Sequence, residues 1–320
     1  MTPARGDSTG SDRLFASVHV LLALPPLFWA ANWIVGRALR DSPPFTLAFA
    51  RWAFAVAFML PFCRVEVRAA WPAMRRHWLW LLPVTILGGG IGNVLSYVGL
   101  KQTTAINAAF LNSFVPIIII VLTWALGRER LTLSQVLGVL VSLAGVVTIL
   151  SRGSLDMLIA LRLNQGDLVL LISLLLWSIY TILLRDRPLQ LHPMALLFVI
   201  AVQALIVLAP FAAYEYASGN RIALTVANIA AVAFIGLFST FLAHLLYNRG
   251  VELGGARLAG LYSHLMPVYL VALAWLFLDE NLEWFHVGGI GLIVAGIWLA
   301  SRGSQFAKTA DPHAPRESPG

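Results

Sequence analysis

An internal repeat constrains the fold of this chain more than any other feature of its sequence. Residues 99–145 align without gaps to residues 250–296 at an offset of 151, with twelve identities in 47 positions. The identical residues are mostly glycine, alanine, proline, tryptophan and glutamate rather than interchangeable aliphatic residues. Pro116, for example, aligns with Pro267. Such self-similarity indicates a duplicated structural unit, so we expect two related halves.

The repeated segment is long and apolar enough to cross a membrane. Residues 104–126 contain 23 residues without a charge, and at about 1.5 Å rise per residue they exceed the ~30 Å hydrocarbon core of a bilayer. The whole chain is 59% hydrophobic and 12% charged, with a mean hydropathy of +0.81, whereas soluble domains carry roughly 25% charged residues. The sequence therefore predicts an all-α integral membrane protein in a lipid bilayer.

Ten apolar stretches predict ten transmembrane helices. They are residues 14–35, 45–63, 78–100, 104–126, 133–150, 167–184, 193–213, 223–247, 258–278 and 284–300. A signal peptide is the alternative for the first stretch, but that stretch is long and nine more follow it. The rest of the chain is assigned as a disordered N-terminus (1–13), a first five-helix repeat (14–150), a linker (151–166), a second five-helix repeat (167–301) and a disordered tail (302–320).

Five spans per unit is an odd number, so the second unit must enter the membrane from the opposite side. The duplication therefore predicts an inverted-topology repeat. With a cytoplasmic N-terminus, fifteen Lys and Arg residues lie in the inner segments and six in the outer ones. Basic loops favour the cytoplasm, so we expect both termini to be cytoplasmic in the inner (plasma) membrane. The net charge of +7 reflects these loops, including a basic loop after span two, and does not indicate nucleic acid.

Several motifs carry a resemblance to a known family. They are Leu-Phe-Trp-Ala-Ala-Asn (27–32), Ala-Arg-Trp (50–52), the Ala-rich stretch ending in proline (100–116), Gly-Arg-Glu-Arg-Leu (127–131), Gly-Asp-Leu (166–168) followed by Trp177 and Tyr180, and Asp279-Glu280. Together they resemble the drug/metabolite transporter superfamily, EamA-domain type. The resemblance implies two inverted five-helix bundles around a central cavity. It also implies transport of small metabolites, often export of amino acids or related compounds.

Polar and aromatic side chains predicted near the midplane are the candidates for contacting a substrate, because lipid does not tolerate such groups elsewhere. They are Trp29, Asn32, Asn93, Tyr97, Asn112, Ser113, Trp177, Tyr180, His244, Asn248, Tyr262, Ser263 and His264. Packing between helices is the alternative for each aromatic residue. These amide, hydroxyl, imidazole and aromatic groups suit a neutral or zwitterionic small molecule.

Pro116 and Pro267 are the candidate hinges. A proline inside a helix frees the carbonyl four residues earlier, here those of Asn112 and Ser263. A freed carbonyl at this depth is tolerated where it faces protein or a wet cavity. The alternative is a kink that serves packing only.

His244 and His264 are the candidates for coupling transport to protons, since histidine titrates near neutral pH. A neutral histidine that is hydrogen-bonded to another helix is the alternative, and uniport needs no titratable group. Arg51, the cation of span two, either binds an anion or extends to the interface. Glu129 and Glu280 are interpreted as structural caps or anchors.

Other classes of function are less consistent with the sequence. An intramembrane enzyme needs a nucleophile or a ligand cluster, and neither His-Glu-x-x-His, Gly-x-Ser-x-Gly nor a cysteine cluster occurs. A non-transporting receptor is expected to have larger loops. No cofactor or metal is predicted. Glycines in spans three, five and ten suit either sliding helices or a homodimer, and this choice stays open.

The predicted topology can be tested with reporter fusions. Fusions after Arg76 and after Arg316 should report the cytoplasm, and fusions within residues 152–166 should report the opposite side, because basic residues concentrate on the inner face. A C-terminal reporter that is active only outside the cell would contradict the inverted arrangement.

Overall fold

The structure is a computed structural model, and the part of the chain that it describes is helical. The described residues are 17–36, 39, 41–103, 105–127, 132–154, 156, 164–187, 191–277 and 282–309, with side chains omitted at 36, 105, 106 and 302–309. The predicted disordered N-terminus, half of the linker, Glu129 and Glu280 lie outside these residues.

The helices follow one another along the chain with short connections. They are α1 (Val18–Gly36), α2 (Pro44–Met59), α3 (Arg64–Arg76), α4 (Trp78–Gly88), α5 (Ile91–Gln102), α6 (Ala105–Asn112), α7 (Val115–Ala125), α8 (Leu133–Leu150), α9 (Gln165–Arg185), α10 (Pro193–Ala217), α11 (Val226–Phe234), α12 (Ala243–Tyr262), α13 (Leu265–Phe277) and α14 (Trp284–Thr309). A π-helix, Ile235–Leu242, joins α11 to α12.

Eight helical segments in the described residues are long and apolar enough to cross a membrane, or nine if the bent pair α2–α3 counts as one span. The eight are Val18–Val35, Trp78–Gln102, Asn107–Ala125, Leu133–Leu150, Gln165–Arg185, Pro193–Ala217, Val226–Tyr262 and Trp284–Ser301. Helix α13 is apolar but shorter. The protein is therefore a multi-pass membrane protein.

The basic segment after α2 is a helix rather than the predicted loop. Helix α3 leaves α2 at an angle of 115°. It exposes both the apolar side chains of Val65 and Trp71 and the basic side chain of Arg68. A helix of this composition suits the membrane interface, where an apolar and a charged face are both solvated. High charge alone led to the loop prediction, because the sequence does not show that the chain turns at residues 60–63.

Two other helices continue through sequence that does not favour a helix. Helix α1 runs without interruption through Pro25 and Pro26. Helix α14 continues to Thr309, into the segment predicted to be disordered.

Both candidate hinge prolines follow a break in the helix. Helix α6 ends at Asn112, and α7 begins at Val115 with Pro116 in its first turn. Helix α12 ends at Tyr262, and α13 begins two residues before Pro267. Proline fits the first turn of a helix because its missing N–H needs no partner there. Both segments are therefore two short helices joined by a turn, and the two breaks lie at equivalent places in the repeat.

Helices α8 and α14 pack backbone to backbone through four glycines. A Cβ atom added at Gly145 would lie 2.5 Å from the carbonyl oxygen of Gly289, and one added at Gly138 would lie 2.6 Å from that of Gly296. The contacts run in opposite directions along the two helices, so the helices are antiparallel. Because Gly138 aligns with Gly289 and Gly145 with Gly296, each half uses the same two glycines.

Replacing Gly145 with alanine should destabilise the protein, because its Cβ would overlap the Gly289 carbonyl and approach the Ile293 nitrogen to 2.8 Å. Overpacking of this kind costs about 1–3 kcal/mol, so we expect a lower melting temperature in detergent. The matched control is Gly291→Ala in the same helix pair, where nothing lies within 4 Å of an added Cβ. Equal melting temperatures for both variants would contradict this packing.

Candidate functional site

A cavity of about 130 Å³ lies between the helices, with side chains from α1, α2, α5, α6, α9, the π-helix and α12 in its lining. Eight of the thirteen predicted substrate-contacting residues line it. They are Trp29, Asn32, Asn93, Tyr97, Asn112, Trp177, His244 and Ser263. About half of the lining residues are apolar or aromatic and the other half are polar. Small-molecule sites likewise combine apolar walls with polar groups that orient the ligand.

Arg51 is the charged residue of the cavity lining. Its side chain does not extend to the interface, because the residue is 3% exposed and fully surrounded by other helices. Its Nε donates to Thr240 Oγ1 at 2.8 Å, and its Nη1 donates to Asn93 Oδ1 at 2.9 Å and to the Tyr97 hydroxyl at 2.5 Å. The guanidinium carbon also lies 5.6 Å from the centre of the Tyr97 ring. These contacts fix the guanidinium beside the cavity.

The π-helix orients side chains from three different helices. Thr240 Oγ1 donates to the carbonyl of Ile235 at 3.0 Å, so its lone pairs remain available to Arg51. The carbonyl oxygen of Ser239 accepts from Trp29 Nε1 at 3.3 Å and pairs with His244 Nδ1 at 3.1 Å. π-Helical turns often occur at functional sites, and here one turn contacts Arg51, Trp29 and His244.

His244 is held in one tautomer at the cavity. Because the Ser239 carbonyl can only accept, the hydrogen of a neutral His244 ring is on Nδ1. Its Nε2 is then an acceptor, and this atom is buried without a hydrogen-bond partner among the described residues. The ring centroid lies 5.4 Å from that of Trp52 and 5.7 Å from that of Trp177, so two indole rings pack against the imidazole.

Aromatic side chains form one wall of the cavity. The rings of Trp29 and Trp177 meet edge to face at 5.3 Å, and Tyr247 lies 5.3 Å from Trp29 and 5.2 Å from Trp177. The Tyr247 hydroxyl is held by Thr181 at 3.0 Å. This wall contains residues from both halves of the chain, as the repeat predicts for a central site.

Three of the remaining candidates lie away from the cavity lining in two separate places. Tyr180 and Asn248 are buried and bonded to each other, with the Tyr180 hydroxyl donating to Asn248 Oδ1 at 2.9 Å. Tyr262 lines a groove beside α14, where its hydroxyl lies 2.5 Å from His19 Nδ1.

Ser113 and His264 also lie outside the cavity lining. They occupy the two turns that precede the candidate hinges, and they contact each other across the repeat. His264 Nε2 donates to the Ser113 carbonyl at 2.8 Å, so Nδ1 accepts from the Ser142 hydroxyl at 2.5 Å. Both ring nitrogens are therefore paired, and the side chain is 0% exposed.

Several residues of the site were not among the sequence-based candidates. Ser239 and Thr240 belong to the π-helix, for which the sequence contains no signal. Outside the cavity lining, the buried Asp167 at the start of α9 was also not a candidate. Its carboxylate accepts from the Thr103 hydroxyl, from Asn107 Nδ2 at 3.1 Å and from the Asn164 backbone at 2.8 Å. The Asn164–Asp167 spacing is a capping-box signal that was available in the sequence.

Metal binding has no support in the described part of the chain, where no three His, Cys, Asp or Glu side chains are close enough together to hold an ion.

A sequence profile of the EamA-like transporter family matches residues 16–151 and, separately, residues 164–302. Similar curated proteins include an uncharacterized transporter of Archaeoglobus fulgidus, 26% identical over 288 residues that cover 89% of this chain and 98% of the relative. The uncharacterized transporter YyaM of Bacillus subtilis is also 26% identical, over 89% of this chain and 93% of its own length.

Among solved structures, a crystal structure of another protein superposes with a TM-score of 0.71. The alignment covers 92% of this chain and 99% of the other, at 20% sequence identity. At this identity the similarity establishes the fold only.

Replacing His264 with leucine should destabilise the protein, because the Ser142 hydroxyl and the Ser113 carbonyl would lose their partner in a buried site. Each unpaired buried group costs about 1–3 kcal/mol, and we expect a correspondingly lower melting temperature. His192→Leu is the matched control, because His192 is exposed at the start of α10. A His264→Leu variant as stable as this control would show that the paired imidazole is not a structural group.

Proposed function

The chain belongs to the EamA-like transporter family, and on this premise we propose that it is a secondary transporter that moves small metabolites by alternating access. The observation that carries the proposal is the cavity between the helices, which is lined by amide, hydroxyl, imidazole and aromatic groups together with Arg51. Lipid-facing helices have no need of such groups, and polar groups at this depth mark transport pathways.

The proposed substrates are neutral or zwitterionic small molecules such as amino acids or their derivatives, and the proposed direction is export. The cavity supports a small substrate, because its volume is about 130 Å³. The mixture of aromatic walls and few charges favours molecules without a large net charge. The proposed location is the inner (plasma) membrane with both termini in the cytoplasm, as the distribution of Lys and Arg favours.

The proposed architecture is ten spans in two inverted five-helix repeats, residues 14–150 and 167–301. Support comes from the antiparallel α8–α14 contact, in which each half contributes the same two glycines. Two equivalent helices that contact each other through the same residues are related by a two-fold axis. Because α8 and α14 are antiparallel, this axis is perpendicular to the two helices. Further support comes from Gly255, which lies within the 37-residue helical segment Val226–Tyr262. Its φ of 83° and ψ of 165° are not helical, so this residue divides the segment into two shorter helices.

The proposed motion is a rocking of the two halves about the cavity. The helix breaks before Pro116 and Pro267 are the proposed hinges, because the turns there lack the continuous hydrogen bonds of a helix. The adjoining residues Asn112 and Ser263 line the cavity, so movement at either break would reach the bound substrate.

Of the two histidines considered for proton coupling, His244 is the better placed. It lines the cavity and has an unpaired Nε2, whereas both nitrogens of His264 are engaged by Ser142 and Ser113. Proton exchange through His244 and uniport make opposite predictions in a pH gradient.

Two other classes of function have less support. A catalytic role would need a nucleophile paired with a base or a metal. In the described cavity lining His244 bonds a backbone carbonyl and no serine hydroxyl, and the lining contains neither an acidic side chain nor a cysteine. A non-transporting receptor would leave the polar cavity without a use, and the curated relatives are named transporters.

The proposal is tested by uptake of L-amino acids into proteoliposomes that contain the purified protein, with and without an imposed pH gradient. We expect protein-dependent flux of at least one amino acid. We expect His264→Gln to respond to the gradient as wild type does, and His244→Gln to lose any uphill flux.

Empty liposomes are the control for leakage. Absence of flux for every amino acid and for uncharged metabolites would overturn the transporter proposal. Uphill flux that survives in His244→Gln would overturn the assignment of proton coupling to His244.

A further inference from the structure

We propose that Arg51 binds the carboxylate of the transported molecule, so that the cavity selects substrates that carry a carboxylate opposite an N–H donor. This inference rests on the proposed function, because it takes the cavity to be the substrate site. It adds the chemical group that the site requires and the residues that recognise it.

The first observation is a buried charge without a countercharge. The hydrogen-bond acceptors of Arg51 are Thr240, Asn93 and Tyr97, all of them neutral. Ion pairs in the described residues join Arg187 and Arg249 to Glu252 instead. Removing a cation from water is costly unless an anion compensates it. A substrate carboxylate would supply that compensation, whereas a second cation in the cavity would add to the cost.

The second observation is the donor capacity that remains at this place. The guanidinium has five N–H groups, and the bonds to Thr240, Asn93 and Tyr97 use those of Nε and Nη1. Nη2 donates to no acceptor in the described part of the chain, and Arg51 lines the cavity. The Tyr97 oxygen accepts from Arg51, so its own O–H is still available to donate. Arg51 Nη2 can thus donate a charge-assisted hydrogen bond to a carboxylate, and the Tyr97 hydroxyl can donate a neutral one to the same group.

The third observation is a set of acceptors on the same cavity. Asn32 Oδ1 and His244 Nε2 are buried without hydrogen-bond partners in the described part of the chain. Asn32 is 9% exposed and His244 is 1% exposed, and both line the cavity. Each needs a donor, and an ammonium or amide N–H of the substrate would provide one. The Trp29 and Trp177 rings beside His244 also favour a cation.

The cavity therefore offers donors at Arg51 and Tyr97 and acceptors at Asn32 and His244. This set matches a molecule with a carboxylate at one end and an N–H donor at the other. An α-amino acid is the simplest such molecule. A purely structural Arg51, which only joins α2 to α5 and the π-helix, would not distinguish an acid from its amide. That difference makes the two roles separable by experiment.

The first arm of the test uses wild-type protein, so it does not depend on the folding of any variant. Binding to protein in lipid nanodiscs is measured for the twenty standard L-amino acids and for a set of uncharged metabolites. The amino acid that binds best is then compared with its primary amide and with its decarboxylated amine. We expect both analogues to bind about 10- to 100-fold more weakly, the usual contribution of a charge-assisted hydrogen bond.

The second arm uses Arg51→Gln, Arg51→Lys and the control Arg76→Gln, which changes an exposed arginine of α3. We expect Arg51→Gln to weaken binding of the amino acid about 10- to 100-fold and to leave its amide unchanged. We expect Arg51→Lys to recover part of the loss because it keeps the charge, and Arg76→Gln to behave as wild type.

Equal binding of acid and amide by wild type would overturn the carboxylate assignment. The same holds if Arg51→Gln weakens acid and amide alike, which a structural role predicts. Transport of uncharged metabolites alone would also overturn it, while leaving the transporter proposal intact. Absence of any transported compound would reject the transporter proposal itself.

Discussion

The hydrogen bonds of Arg51 connect most of what the cavity contains. A cation inside a membrane-spanning bundle must be surrounded by polar groups from the protein, and for Arg51 these come from two separate segments. Thr240 lies in the π-helix, and Asn93 and Tyr97 lie in α5. The same π-helical turn supplies the Ser239 carbonyl to Trp29 and His244. Solvation of one buried charge thus fixes the relative positions of α1, α2, α5 and α12 around the cavity.

A different kind of contact joins the two halves at α8 and α14. The four glycines bring two backbones together, and close backbone approach is a common basis of helix association in lipid. His264 adds a polar contact nearby, where it bonds both to Ser142 of α8 and to the carbonyl of Ser113. The halves thus pack tightly at α8 and α14, whereas polar side chains line the cavity elsewhere in the bundle. This arrangement suits two halves that stay in contact while they rotate.

Much of the architecture could be predicted from the sequence, because the repeat and the long apolar stretches are local patterns. The helix breaks before Pro116 and Pro267 were likewise visible as paired prolines. The sequence does not reveal which partner a polar side chain meets across the bundle. Ser113 and His264 looked like matched cavity residues, but they pair with each other. Arg51 was left between two roles because its acceptors lie 42 to 189 positions away. The π-helix had no distinct local pattern.

The central claim is that the cavity is reached alternately from both sides of the membrane. Cys63 is the single cysteine of the chain, so Cys63→Ser provides a background in which Ser96 of the cavity lining is replaced by cysteine. A membrane-impermeant thiol reagent is then applied to right-side-out and to inverted vesicles, with Ser178→Cys as a buried control outside the lining. The account predicts labelling of Ser96→Cys from both sides and of Ser178→Cys from neither. Labelling of Ser96→Cys from one side only, with or without added amino acid, would contradict it.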